Sequence, residues 1–247
     1  MRNHDELLLE DSWVDPLDQL DDDIAAPPPP DPDEMLALLT HVEAPQRMLA
    51  ARAFCEIADE RAVAPLVALL KDSCPLVRVS AAYALGRNSS PTIVEPLMQS
   101  LQTDFNGYVR KGLVWALGNC GDRRALGPLI HALKTDISAV RLWSASSLPN
   151  VAKLAYEDVI ATIPPLIEAL RRDQLAAVRS NCAWAVGQLC RELPSNVVYA
   201  TAIDALLEAL VEDEDLGVKE DAKAALLRLG DARGLQTIED LEFDGLI

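Results

Sequence analysis

The chain has 247 residues and carries 22 basic against 39 acidic side chains, for a net charge of −17; half of it is hydrophobic but only 4% is aromatic. That length suits one large domain or one repeat array, and a core short of aromatics must be built from Ala, Leu, Val and Ile, as helical arrays are. The acidity opposes a phosphate backbone, which excludes nucleic acid as a partner, and there is no uncharged apolar run of the roughly 18 residues a membrane span needs.

At the N-terminus Asp5, Glu6, Glu10 and Asp11 stand where a secretory signal would carry a basic segment and an apolar core. Five cysteines without a C-x-x-C pair read as reduced thiols, so the expected location is cytoplasmic. Residues 1–34 hold twelve acids against Arg2 alone, and Ala-Ala-Pro-Pro-Pro-Pro-Asp-Pro at 25–32 is predicted to be an extended linker. We therefore expect a disordered acidic tail over 1–33 and a folded array over 34–247. Leu7-Leu8-Leu9 and Trp13-Val14 within the tail fit either a docking segment or a solubilising one. Residues 35–200 carry a net +3, so such a tail would be able to fold onto the array and compete with a partner.

From about residue 35 a two-helix unit recurs. Its marker is a Val-Arg-like pair opening an alanine-rich stretch: VRVSAAYALG (77–86), VRKGLVWALG (109–118), VRLWSASSLP (140–149) and VRSNCAWAVG (178–187). A weaker copy, QRMLAARAFC, starts at 46, and a variant, VKEDAKAALL, starts at 218. The marker residues Arg47, Arg78, Arg110, Arg141, Arg179 and Lys219 are spaced 31, 32, 31, 38 and 40 apart. Upstream of five of them stand PLVALL (65–70), PLMQSL (96–101), PLIHAL (128–133), PLIEAL (165–170) and ALLEAL (205–210), each with one apolar stripe of helical period.

Asp59, Asp122 and Asp231 are placed to cap helices. Asp72, Asp104, Asp136 and Asp173 sit in the turn before a Val-Arg pair, and an arginine recurring once per repeat reads as an internal ladder to these aspartates. Gly86, Gly118 and Gly187 are expected where a helix backs onto its neighbour, and Pro149, in the same place, is expected to end or kink its helix early. The two long repeats carry extra segments, AKLAYEDVIAT (152–162) and RELPSNVVYAT (191–201), and the acidic DARGLQTIEDLEFDGLI reads as a polar terminal cap.

The second helices of a solenoid line its concave side, which usually binds. Positions three, four and seven after each marker residue are small or apolar and should face inward. Positions two, five and nine share another stripe, which supplies Arg52, Tyr83, Arg87, Trp115, Asn119, Trp143, Asn150, Asn181, Trp184, Gln188 and Arg228 as candidate binding residues. Three of the four tryptophans fall on it. They read as a binding surface, where a ring offers large contact area beside polar partners, or as core with the face offset by one residue.

Catalytic chemistry is not recognisable. The three histidines, at 4, 41 and 131, are not followed by Glu, which removes the ligand pairs of HEAT-type metal hydroxylases. Cys182 and Cys190 are eight residues apart on one helix, about 12 Å, too far to share one metal. Cys120 and Cys182 read as buried packing thiols and Cys74 as the reachable one. The stripe also has too few cations to hold a duplex in the manner of DNA-glycosylase-like HEAT folds.

Paired helices at this period, with an aspartate turn before each Val-Arg, resemble the HEAT-like repeats of the cyanobacterial phycobilisome-lyase type over about residues 35–240. The resemblance implies an all-α fold, an α-solenoid of about six two-helix repeats. It implies a binding scaffold for phycobilins or phycobiliprotein subunits, active in phycobilisome assembly or turnover. If the chain is an enzyme, the resemblance makes it a bilin lyase or lyase subunit, with Arg52, Arg87 or Arg228 pairing with propionates. No cofactor is required, a phycobilin is the possible ligand, and the partner is a phycobiliprotein subunit or a second HEAT-like chain. The alternative is a non-enzymatic protein-interaction adaptor, for example in iron–sulfur cluster maturation.

Overall fold

The computed structural model describes residues 30–152 and 155–245. The chain divides into residues 1–31 and 32–247. The expected acidic tail lies outside the described residues except for its last four positions, of which Pro32 and Asp33 open the first helix.

From Pro32 onward the described residues form thirteen α-helices and no strand. They fall into six pairs: α1 (Pro32–Leu38) with α2 (Ala44–Ala53), α3 (Val63–Leu69) with α4 (Pro75–Arg87), and α5 (Val94–Thr103) with α6 (Gly107–Cys120). The next are α7 (Leu126–Thr135) with α8 (Ser138–Ala152), α9 (Tyr156–Arg172) with α10 (Ala176–Cys190), and α11 (Val197–Glu212) with α12 (Leu216–Leu229). α13 (Ala232–Phe243) closes the array, burying Gly234 and Ile238 and leaving most of its surface to solvent. The expected α-solenoid of six repeats is the observed fold.

The second helices α2, α4, α6, α8, α10 and α12 pack on one another more extensively than the first helices do. They therefore form the more closely spaced layer, on the inner side of the curve. Small residues permit this. A Cβ added to Gly86 would meet the Trp115 ring at 2.5 Å, one on Gly118 would meet Ser147 Cβ at 2.6 Å, and one on Gly187 would meet Ala225 Cβ at 2.7 Å. The inward positions are buried as expected: Ala81, Ala82 and Leu85 in α4, and Leu113, Val114 and Leu117 in α6.

Local chemistry sets the helix ends. Asp59 and Asp122 accept the backbone N–H groups of Arg61 and Arg124, capping short 3₁₀ turns that lead into α3 and α7, and Asp231 accepts that of Arg233 at α13. Pro149 does not end its helix, contrary to expectation: α8 continues three residues beyond it to Ala152. Leu148, Val151 and Ala152 are all buried, and this packing offsets the roughly 3 kcal/mol that an interior proline costs. The two extra segments lengthen first helices. α9 has 17 residues and α11 has 16, against 10 in α5 and α7. Pro164 and Pro165 consequently lie inside α9 and not at its start.

The arginine ladder joins successive repeats. Arg47 grips Asp72 through Nε at 2.6 Å, and the same two-pronged contact recurs as Arg78–Asp104, Arg110–Asp136, Arg141–Asp173 and Arg179–Asp213. Each aspartate belongs to the turn of the following repeat. The remaining guanidinium nitrogen of Arg78, Arg110, Arg141 and Arg179 donates to the carbonyl of the aspartate in its own turn. One side chain thus satisfies two consecutive turns. The last marker, Lys219, reaches only the Val211 carbonyl, at 2.9 Å.

This ladder makes stability depend on acid. Burial alone would push Asp72, Asp173 and Asp213 up, but the paired arginine and a backbone N–H outweigh it and hold all three below the ordinary aspartate range. Hydrogen bonds from the Arg124 side chain and backbone hold Asp122 at about 2. A carboxyl depressed in the folded state stabilises above its unfolded pKa and loses that contribution as pH falls through its folded one. Unfolding stability followed by circular dichroism should be flat from neutrality to about pH 5 and fall between about pH 4 and 2. Equal stability at pH 7 and pH 3 would contradict this account.

Candidate functional site

The inner layer presents one exposed stripe per second helix, because residues three and four apart share a helix face. Arg52 lies on α2, Tyr83 and Arg87 on α4, Trp115 and Asn119 on α6, Trp143 and Asn150 on α8, Asn181, Trp184 and Gln188 on α10, and Arg228 on α12. Arg52, Arg87, Asn119, Asn150 and Arg228 are exposed, whereas Tyr83, Trp115, Trp143, Asn181, Trp184 and Gln188 are half-buried. The three tryptophans pack one side on the core and leave the other on the surface. Two further positions of the stripe, Ser80 and Gly112, are buried, since a Cβ on Gly112 would already lie 3.3 Å from that of Ala82 on the neighbouring helix.

The structure brings several of these residues together. The Tyr83 and Trp115 rings lie 5.2 Å apart, tilted by 52°, and burial pushes the Tyr83 phenol up. Lys111 holds its ammonium 5.4 Å from the centre of the Trp143 ring, a cation–π contact. Asn119 donates to the Gly86 carbonyl at 3.3 Å, and Asn181 donates to Ser146 Oγ at 2.8 Å and to the Leu142 carbonyl at 3.2 Å. These two amides therefore tie α6 to α4 and α10 to α8. Arg228 stands apart, lining a cavity of about 570 Å³ with Arg191, Tyr199 and Asp231.

Sequence reasoning missed Lys111, Leu76 and Tyr108. Tyr108 is 71% exposed and Leu76 59%, each about two turns before Trp115 and Tyr83 respectively on the same helix faces. The helical period that selected Trp115 would have found Tyr108 seven residues earlier. A second opening, of about 380 Å³, lies in the other layer between α9 and α11, floored by Ile163, Ile167, Val197 and Val198.

The cysteines are packing groups. Burial pushes Cys182 far up, Cys190 to about 12 and Cys120 to about 11, which suppresses the reactive thiolate. Cys74 is half-buried against the core at the start of α4 and is less reachable than its turn position suggested. Among the described residues no group of three or more His, Cys, Asp and Glu side chains could hold a metal, and no helix is long and apolar enough to cross a membrane.

HEAT repeats match residues 32–111, 94–162 and 163–242, most of the chain. No curated protein matches it. Among solved structures, a designed armadillo repeat protein in complex with the peptide (KR)4 is similar at 21% identity and a TM-score of 0.61, covering 81% of this chain and all of that one. The complex of CpcE and CpcF of phycocyanin lyase from Nostoc sp. PCC7120 is similar at 22% identity and a TM-score of 0.59, covering 87% of this chain and 84% of that one. A Kap121p mutant reaches a TM-score of 0.67 at 17% identity, covering 85% of this chain and 24% of that one. These likenesses agree with the repeat match on the fold, and the chain belongs to the family of HEAT repeat proteins.

Proposed function

We propose that the chain is a binding scaffold that handles phycobilins or phycobiliprotein subunits through the aromatic stripe of its inner layer. The observation that carries this reading is the row of half-exposed rings on successive second helices, with Tyr83 against Trp115, then Trp143 under Lys111, then Trp184. Flat rings with one free side suit stacking on an open-chain tetrapyrrole or on an apolar protein segment. Asn150 and Gln188 stand beside them as polar contacts. The likeness to a phycocyanin lyase complex supports the choice of ligand class.

Titrating the full chain with phycocyanobilin should shift the visible absorption of the pigment. Trp115→Ala and Trp184→Ala should each weaken binding about tenfold, the equivalent of one stacked ring at roughly 1.4 kcal/mol. An unchanged spectrum, together with no association with apo-phycobiliprotein subunits, would sink the pigment reading.

A further inference from the structure

Charge is not spread evenly along the inner layer. Its first three helices present Arg52, Arg87 and Lys111, with Glu56 just beyond the end of α2 and Asp59 and Glu60 lining an opening with Arg87; its middle presents Ser146, Asn150, Asn181 and Gln188, and α12 mixes Glu220 and Asp221 with Lys223 and Arg228. Among the described residues the ion pairs use other arginines than Arg52 and Arg87. α2 packs directly on α4, and both guanidiniums and the Glu56 carboxylate act on Cys55 between them, so the two cations share one patch with Glu56. Leu76, Val79, Tyr83, Tyr108 and Trp115 supply apolar surface on the same faces. Elsewhere the marker arginines are consumed by the ladder and contribute no free charge to this face.

Resting on the binding-face reading above, we infer that α2, α4 and α6 form the specificity end of the groove and select an acidic, apolar polypeptide segment, seated with its carboxylates at Arg52 and Arg87. Charge complementarity decides the occupant. Unpaired guanidiniums at an exposed rim attract carboxylates and grip them in a two-pronged geometry, while the adjoining rings take apolar side chains. The uncharged middle of the groove accepts backbone and amide hydrogen bonds without a charge preference. The difference in charge between its ends gives the bound segment one direction. The net charge of −17 does not cancel this preference, because exposed charges beyond about 8 Å are largely screened at physiological salt.

The test is to bind the full chain to an array of random peptides, beside an Arg52→Glu/Arg87→Glu variant and the Trp115→Ala variant. Both arginines are exposed, so the charge reversal should leave the helical signal and melting of the array intact. Wild type should enrich Asp and Glu together with Leu, Phe or Trp, and the reversal should weaken those peptides about a hundredfold, about tenfold per cation, and enrich Lys and Arg instead. Loss of binding in Trp115→Ala with charge preference unmoved by the reversal would overturn this inference and leave the aromatic face standing. Indifference to both variants would overturn both readings. No enrichment of acidic peptides, or preference for a single-stranded oligonucleotide over every peptide, would also overturn the inference.

Discussion

Replacing Arg179 by alanine should cost about 3 kcal/mol of stability, because it leaves Asp213 as a buried carboxylate without its cation and strips the Asp173 carbonyl of a donor. The site suits the experiment, since both partners of this pair expose only 9% of their side-chain surface. Arg179→Lys should recover little, as a single ammonium cannot hold both carboxylate oxygens and a carbonyl in the preceding turn. The ladder links each repeat to the next alongside the packing of the second helices, so its loss should also reduce cooperativity. Urea unfolding should show a lower midpoint and a shallower slope than wild type, as the array comes apart in two blocks. A variant that kept the wild-type midpoint would show the ladder to be energetically idle.

Gly118→Ala should destabilise the array by about 1–3 kcal/mol despite the better helix propensity of alanine. The added methyl would sit 2.6 Å from Ser147 Cβ and 3.1 Å from its Cα, so backbone has to move and not merely a flexible side chain. Ser147→Gly removes the obstructing atoms. Combined with Gly118→Ala it should recover part of the loss, giving a favourable coupling in a double-mutant cycle measured by chemical denaturation. Strictly additive effects would mean that α6 and α8 do not touch at this pair. Because the same clearance sets how closely neighbouring second helices approach, a milder consequence should appear at the Trp143 ring, whose fluorescence reports the spacing of the inner layer.

Much of this molecule was legible from spacing. The Val-Arg markers and the PLIEAL-type segments located six helix pairs, and the period of small or apolar residues at Ala81, Ala82 and Leu85 and their equivalents identified the buried faces. The aspartates in the turns announced the ladder, since a charge pair repeated once per unit has no simpler use. The candidate stripe was partly legible. Trp115, Trp143 and Trp184 do reach the surface while packing one side on the core, which is why a binding reading and a core reading both fitted them. Tyr108 and Leu76 were passed over because they precede the marker and look like part of the turn. Lys111 was overlooked because its use appears only across helices, above the ring of Trp143.

The amino-acid order by itself determined the helical period, the repeat length, the turn chemistry and the uneven distribution of charge, all of which depend on residues close together in the chain. Tertiary structure alone decided the rest. Pro149 lies inside a helix because burial of its neighbours outweighs its local cost, and the extra segments became longer first helices instead of loops. Each arginine pairs with the aspartate of the next repeat while holding the carbonyl of its own, a choice that depends on how repeats stack. The patch of Arg52, Tyr83 and Arg87 is likewise made by packing α2 against α4. Contacts between residues some thirty positions apart follow from that stacking geometry, and no local period encodes it.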